Sequence, residues 1–195
     1  MKKLFLTVAI ALLSTVSYAQ RATGSLTLQP KVGLNIANMT KTDGSARAGL
    51  VAGAEFEYQV TDMISVSAGA LYSQQGCKED ILTEAGSVSG TLKLDYINIP
   101  ILANVYVTRG LAVKLGVQPG FKVNSSEKVS LNSTSVSGDV DDVKSFDFSI
   151  PVGLSYEYKN VVFDARYNIG CTKIVDYADS KHSVFQLTLG YKFDL

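Results

Sequence analysis

Val184-Phe185-Gln186-Leu187-Thr188-Leu189-Gly190-Tyr191-Lys192-Phe193-Asp194-Leu195 is the last stretch of the chain, and its reading decides the fold. In steps of two, Phe185, Leu187, Leu189, Tyr191, Phe193 and Leu195 fall on one face. Val184, Gln186, Thr188, Gly190, Lys192 and Asp194 fall on the other. Alternation with period two is the mark of a β-strand, because successive side chains leave the backbone on opposite sides. Its length, aromatic end and terminal position are what a transmembrane β-barrel needs to close its sheet.

Upstream, the same alternation recurs seven times. Strand one, about Leu28 to Asn38, sets Val32, Leu34 and Ile36 against Lys31, Gly33 and Asn35. Strand two, about Arg47 to Tyr58, sets Leu50, Ala52, Ala54, Phe56 and Tyr58 against Gly49, Gly53, Glu55 and Glu57. Strand three, Ile64 to Gln75, precedes a polar loop from Gly76 to Gly90. Strand five starts at Leu111 and gives way to the longest loop, Asn124 to Lys144. Strands six (Phe146 to Tyr158) and seven (from Val161) follow, and the loop Thr172 to Lys181 leads to the closing strand. Val60-Thr61-Asp62, Thr108-Arg109-Gly110 and Lys159-Asn160 are tight turns. Long and short connections therefore alternate, which places all long loops at one rim and all short turns at the other, as in outer-membrane barrels.

Strand four, about Thr91 to Val107, changes phase. Leu92, Leu94 and Tyr96 share a face, whereas beyond them the apolar set is Ile97, Ile99, Ile101, Ala103, Val105 and Val107. One extra residue would switch the faces, so a β-bulge is expected near Tyr96-Ile97. Pro100, lacking an amide donor, fits an interrupted ladder.

Alternation alone does not say which face is inside. Aromatics near strand ends, Tyr58, Tyr72, Tyr158, Tyr191 and Phe193, assign the apolar face to lipid, as interfacial girdles do. The opposite face mixes glycine and serine with Glu55, Glu57, Lys114, Lys122, Glu157, Asp164, Arg166 and Lys192. A narrow eight-stranded lumen suits small residues and paired charges rather than an open channel. Arg166, between acidic neighbours, is the expected centre of that pairing.

The beginning of the chain sets the compartment. Met1-Lys2-Lys3, the apolar run Leu4 to Leu13, and Ser17-Tyr18-Ala19 have the three zones of a secretory signal peptide, too short for a permanent membrane helix. The expected division is a signal peptide over residues 1–19, cleaved after Ala19, and a β-barrel domain over residues 20–195. The full chain has 18 basic and 18 acidic residues, and loss of Lys2 and Lys3 leaves a net charge of minus two. No basic run points to nucleic acid. Cys77 and Cys171 are in an exported chain, so a disulfide and two separate thiols are both open readings. One histidine and two distant cysteines do not make metal-ligand spacing. No phosphate-cradling glycine loop occurs in a strand-turn-helix context. No catalytic, cofactor-binding or metal site is assigned, and no cofactor is expected.

Gly33-Leu34-Asn35, Gly49 and Gly53, Leu71-Tyr72-Ser73-Gln74-Gln75-Gly76 and Tyr96-Ile97-Asn98-Ile99-Pro100 together make the mature chain resemble the PorT-type outer-membrane β-barrel proteins of Bacteroidetes. The resemblance implies an all-β fold: an eight-stranded antiparallel up-and-down transmembrane β-barrel of the cell outer membrane, after a cleaved N-terminal signal peptide. One named member is associated with protein secretion, and the resemblance fixes no activity.

Three functions follow as expectations. The first is a non-enzymatic cell-envelope barrel with a plugged interior, acting through its outer loops in surface interaction or envelope integrity, because loops on a rigid scaffold are where recognition resides. Its partners are outer-membrane lipid, the barrel assembly machinery that reads the closing strand, and an extracellular or envelope protein at loops 124–144 and 76–90. The second is a small porin-like barrel or a secretion-system accessory. The third is a lipid-modifying enzyme or protease, for which Asp176, Asp179, His182 and Ser183 offer a histidine beside carboxylates and a hydroxyl.

Overall fold

A computed structural model describes residues 21–40, 45–83, 86–131, 134–139, 144–173 and 180–195. The signal peptide assigned to residues 1–19 and the loop carboxylates Asp176 and Asp179 lie outside the described residues. The alternating stretches all form strands: β1 (Leu26–Met39), β2 (Ser45–Gln59), β3 (Ile64–Thr83), β4 (Gly86–Asn98), β5 (Ile101–Thr108), β6 (Leu111–Leu131), β7 (Thr134–Asp139), β8 (Phe146–Tyr158), β9 (Val161–Gly170), β10 (His182–Tyr191) and β11 (Phe193–Asp194).

All of these segments but β7, which pairs with β6 beyond the ring, combine into eight staves. β4 and β5 form one stave, lying between β3 and β6. β10 and β11 form another, and both pair with β1. The β1–β10 ladder, antiparallel from Lys31↔Gly190 to Met39↔His182, closes the ring. Closure leaves no sheet edge at the level of the ring, which hydrocarbon requires because it offers the backbone no hydrogen bonds.

The two faces part as the alternation predicts. Val32, Leu34, Ile36, Phe185, Leu187, Leu189, Tyr191 and Phe193 are exposed on the outer wall, while Thr27, Gln29, Lys31, Asn35, Gln186, Thr188 and Lys192 are buried inside. An apolar exterior around a polar interior is stable only where lipid is the solvent. The short turns also hold: Gly110 at φ 80° and Lys159 at φ 57° take left-handed conformations at two of them.

Two expectations are corrected. The first is the bulge at Tyr96-Ile97. One register runs from Ile64↔Val105 through Tyr72↔Ile97 to Thr83↔Gly86, with no extra residue on that side. Leu94, Tyr96, Asn98, Leu102, Asn104 and Tyr106 are all buried on the inward face. The apolar residues change face while the backbone keeps its phase, because this part of the lumen is itself apolar. The irregularity lies on the neighbouring stave: Asp95 pairs with Asn124 and Tyr96 with Lys122, so Val123 of β6 is the extra residue. Pro100 does fall at a break, between β4 and β5.

The second correction concerns the long loops. Much of 76–90 and 124–144 is strand, in the ladders β3–β4 (to Thr83↔Gly86), β4–β6 (from Val88↔Leu131) and β6–β7 (to Leu131↔Thr134). Polar composition had suggested loop. The apolar alternation there is brief, as in Val129-Ser130-Leu131 and Ser135-Val136-Ser137, and serine, asparagine and glycine interrupt it.

Candidate functional site

Polar side chains cross the lumen at two levels. At the first, Lys31 (β1), Glu55 (β2), Lys114 (β6), Asp164 and Arg166 (β9) converge. Arg166 Nη1 and Nη2 donate to the two Glu55 oxygens at 2.7 and 2.8 Å. Its Nε and Nη2 donate to the two Asp164 oxygens, each at 2.7 Å. The planar guanidinium suits this double fork. Lys31 Nζ donates to Glu55 Oε2 at 2.7 Å and Lys114 Nζ to Asp164 Oδ2 at 2.9 Å. Glycines make the space: a Cβ on Gly153 would sit 2.9 Å from Arg166 Cγ, and one on Gly69 2.7 Å from Glu55 Cγ.

Nearer the short turns, Lys192 donates to Glu157 Oε2 at 2.8 Å and lies 2.9 Å from Glu57 Oε2. Ser65 Oγ donates to Glu57 Oε1 at 2.6 Å, and the Tyr106 hydroxyl donates to the same oxygen. Arg21 bridges Glu157 and Asp194. The first level holds three cations and two anions; the second holds Lys192 and Arg21 with the buried carboxylates Glu57 and Glu157, and Asp194, mostly exposed at the end of the closing strand, completes the charge balance from outside the lumen. Uncompensated charge would be costly at this depth.

Arg166 is thus the centre expected from the sequence, and of the inward charges read there only Lys122 is left half-exposed. Arg21 and Tyr106 were missed. Tyr106 sits between the outward Val105 and Val107 of strand four and so faces inward, a signal present in the alternation.

Toward the long-connection rim the lumen turns apolar. Met39, Cys77, Leu94 and Tyr96 form one buried cluster. The Cys77 thiol donates to Met39 Sδ at 3.7 Å. His182 meets Tyr96 edge to face, ring centroids 5.3 Å apart, with Nε2 3.3 Å from the Tyr96 hydroxyl. The signal for this cluster was the phase change at Leu92, Leu94 and Tyr96.

His182 and Ser183 fall on opposite faces of β10. His182 is buried in the lumen, while the Ser183 hydroxyl is 2.6 Å from that of Tyr167 on the exposed side. The histidine and hydroxyl of the enzyme reading are therefore not brought together. Cys77 is buried and Cys171 exposed, and no disulfide joins them.

Above the rim the wall continues on one side only. β2 stops pairing with β3 at Ser45↔Lys78, and β8 stops pairing with β6 at Phe121↔Phe146. Beyond those levels β3, β4, β6 and β7 pair only with one another. The result is a projecting four-stranded sheet whose outermost strand, β7, has one unpaired edge among the described residues. On the lipid face, a groove of about 520 Å³ lies over Ala165 between Leu34, Leu154, Phe163 and Leu187.

The chain matches the model of the outer membrane protein beta-barrel domain over residues 18–176. No curated protein matches it. Among solved structures it is similar to Ail, the attachment invasion locus protein of Yersinia pestis, at 17% identity and TM-score 0.50, over 88% of this chain and 99% of that one. Ail in complex with the heparin analogue sucrose octasulfate matches at 16% identity and TM-score 0.51, over 88% and 99%. Neisserial surface protein A matches at 15% identity and TM-score 0.53, over 86% and 97%.

Proposed function

We propose, for a chain that belongs to the outer membrane protein beta-barrel domain family and resides in the outer membrane, a non-enzymatic role in surface interaction or envelope integrity. The observation that carries this reading is the projecting sheet of β3, β4, β6 and β7, held by a ring of paired staves. A rigid scaffold presenting polar strands beyond the bilayer suits recognition. The free edge of β7 offers backbone groups to an extracellular or envelope protein. That Ail, a barrel of similar fold, has been captured with a heparin analogue supports a surface role for such a scaffold. Export by a signal peptide at 1–19, insertion by the barrel assembly machinery and kinship with PorT-type barrels of Bacteroidetes are parts of the same reading. The ion pairs spanning the lumen support a plugged interior.

The test replaces residues 127–139 with a two-residue turn and measures adhesion of displaying cells to immobilised heparin and to extracellular-matrix protein. The shortened barrel should keep its heat-modifiable gel migration and lose adhesion. Unchanged adhesion refutes the role given to the sheet.

A second reading, a small porin or secretion accessory, draws on the inward polar atoms of Gln29, Gln118, Asn168, Gln186 and Thr188 that lack protein partners. Such atoms suit bridging water, and a hydrated lumen is the first requirement of conduction. Planar-bilayer recording separates the readings.

A further inference from the structure

The apolar outer part of the lumen brings together side chains that sequence spacing keeps apart. Met39 ends β1, Cys77 is on β3 and His182 begins β10, and all three are buried. We propose that Met39 Sδ, Cys77 Sγ and His182 Nδ1 form a binding site for a soft monovalent cation, Cu(I).

Three observations carry the assignment. The sulfurs of Met39 and Cys77 are 3.7 Å apart. Two sulfurs bound at about 2.3 Å to one three-coordinate ion would be about 4.0 Å apart, so the pair needs to part by only a few tenths of an ångström to share a metal. His182 is the direct cross-strand partner of Met39 on the closing ladder. Both residues are buried, so their side chains stand side by side on the lumenal face.

Third, His182 Nδ1 is buried without a hydrogen-bond partner among the described residues. An orphaned buried polar atom is costly unless something satisfies it. The Nε2–H tautomer donates to the Tyr96 hydroxyl, 3.3 Å away, and leaves the Nδ1 lone pair bare. This is the arrangement of a ligating histidine, whose second nitrogen is held by an outer partner that fixes tautomer and ring orientation.

The donor set selects the ion. Thiolate, thioether and imidazole favour Cu(I), whereas Mg²⁺ and Ca²⁺ require oxygen ligands. Charge argues the same way. Binding displaces the Cys77 thiol proton to solvent, and thiolate with a monovalent cation is neutral, the state least costly beside Leu94 and Tyr96, which are 0% and 1% exposed. A divalent ion would leave a net positive charge there. The site lies at the long-connection end of the staves, the end that faces outside the cell in an outer-membrane barrel. It is independent of what binds the projecting sheet.

The test uses the full barrel in detergent micelles, anaerobically, with Cys171→Ser to remove the exposed thiol. Cu(I) is supplied from a coloured bathocuproine disulfonate complex. One equivalent should transfer, with loss of maleimide labelling at Cys77 and no displacement by Mg²⁺ or Ca²⁺. Cys77→Ser should abolish transfer, and Met39→Leu and His182→Phe should each weaken it at least tenfold. Stoichiometric transfer in Cys77→Ser overturns the site, as does parental affinity in both Met39→Leu and His182→Phe. Heat-modifiable migration verifies that each variant is folded. If one does not fold, copper X-ray absorption of the parent decides: two sulfur neighbours and one nitrogen uphold the site, and any other set, or no transfer, overturns it.

Discussion

Glu55→Gln should destabilise the barrel more than Arg166→Met, although Arg166 makes four charged hydrogen bonds and Glu55 receives three. The difference lies in what remains. Without Arg166, Lys31 still pairs with Glu55 and Lys114 with Asp164, and the first level becomes neutral. Without the Glu55 charge, three cations share Asp164. With an effective dielectric near 20, neighbouring charges at roughly 4 Å attract by about 4 kcal/mol, and like charges at roughly 6 Å repel by about 3 kcal/mol. Glu55→Gln then forfeits two attractions, about 8 kcal/mol, and relieves one repulsion, for a net cost of about 5 kcal/mol. Arg166→Met forfeits two attractions and relieves two repulsions, for a net cost of about 2 kcal/mol. The larger figure matches the roughly 3–5 kcal/mol typical of breaking a buried ion pair. Equilibrium urea unfolding in lipid vesicles, followed by the gel shift of the folded barrel, measures both. If Arg166→Met costs as much as Glu55→Gln, net charge in the lumen is not what governs its stability.

Other outcomes follow from the same geometry. Gly153→Ala should cost about 1–3 kcal/mol by overpacking, since the new Cβ would stand 2.5 Å from the Ala165 carbonyl oxygen and 2.9 Å from Arg166 Cγ; unfolding unchanged within error would show that the lumen yields there. In planar bilayers the wild-type barrel should be silent, and a steady single-channel conductance would refute the plugged-lumen reading. Tyr191 and Phe193, exposed on the outer wall with ring centroids 4.8 Å apart, should be needed for insertion, so changing both to Ser should abolish the heat-modifiable form. Normal assembly of that variant would sink the role assigned to the closing strand.

Much of the barrel was legible in the chain. Phe185, Leu187 and Leu189 against Gln186 and Thr188 specify a strand and its two faces, because the period of a strand is a local property of the backbone. The rhythm of long and short connections gives the number of staves, and Arg166 between Asp164 and inward residues marks the centre of the lumen. The projecting sheet was not legible. Its strands are rich in serine and carry only brief alternations such as Val129-Ser130-Leu131, so their ladders with one another are what distinguish them from loops.

Polarity along a strand also determines less than it suggests. At Leu94 and Tyr96 the apolar residues moved to the inner face without any backbone shift, and a pattern reading could explain this only by an extra residue. Whether an apolar side chain there faces lipid or a dry lumen depends on what fills the barrel from across the ring. The same holds for Met39, Cys77 and His182, and for the separation of His182 from Ser183 across the wall. Local alternation determines strands and faces. Which residues of different staves meet is decided by closure of the sheet and its register, which no single stretch of the chain contains.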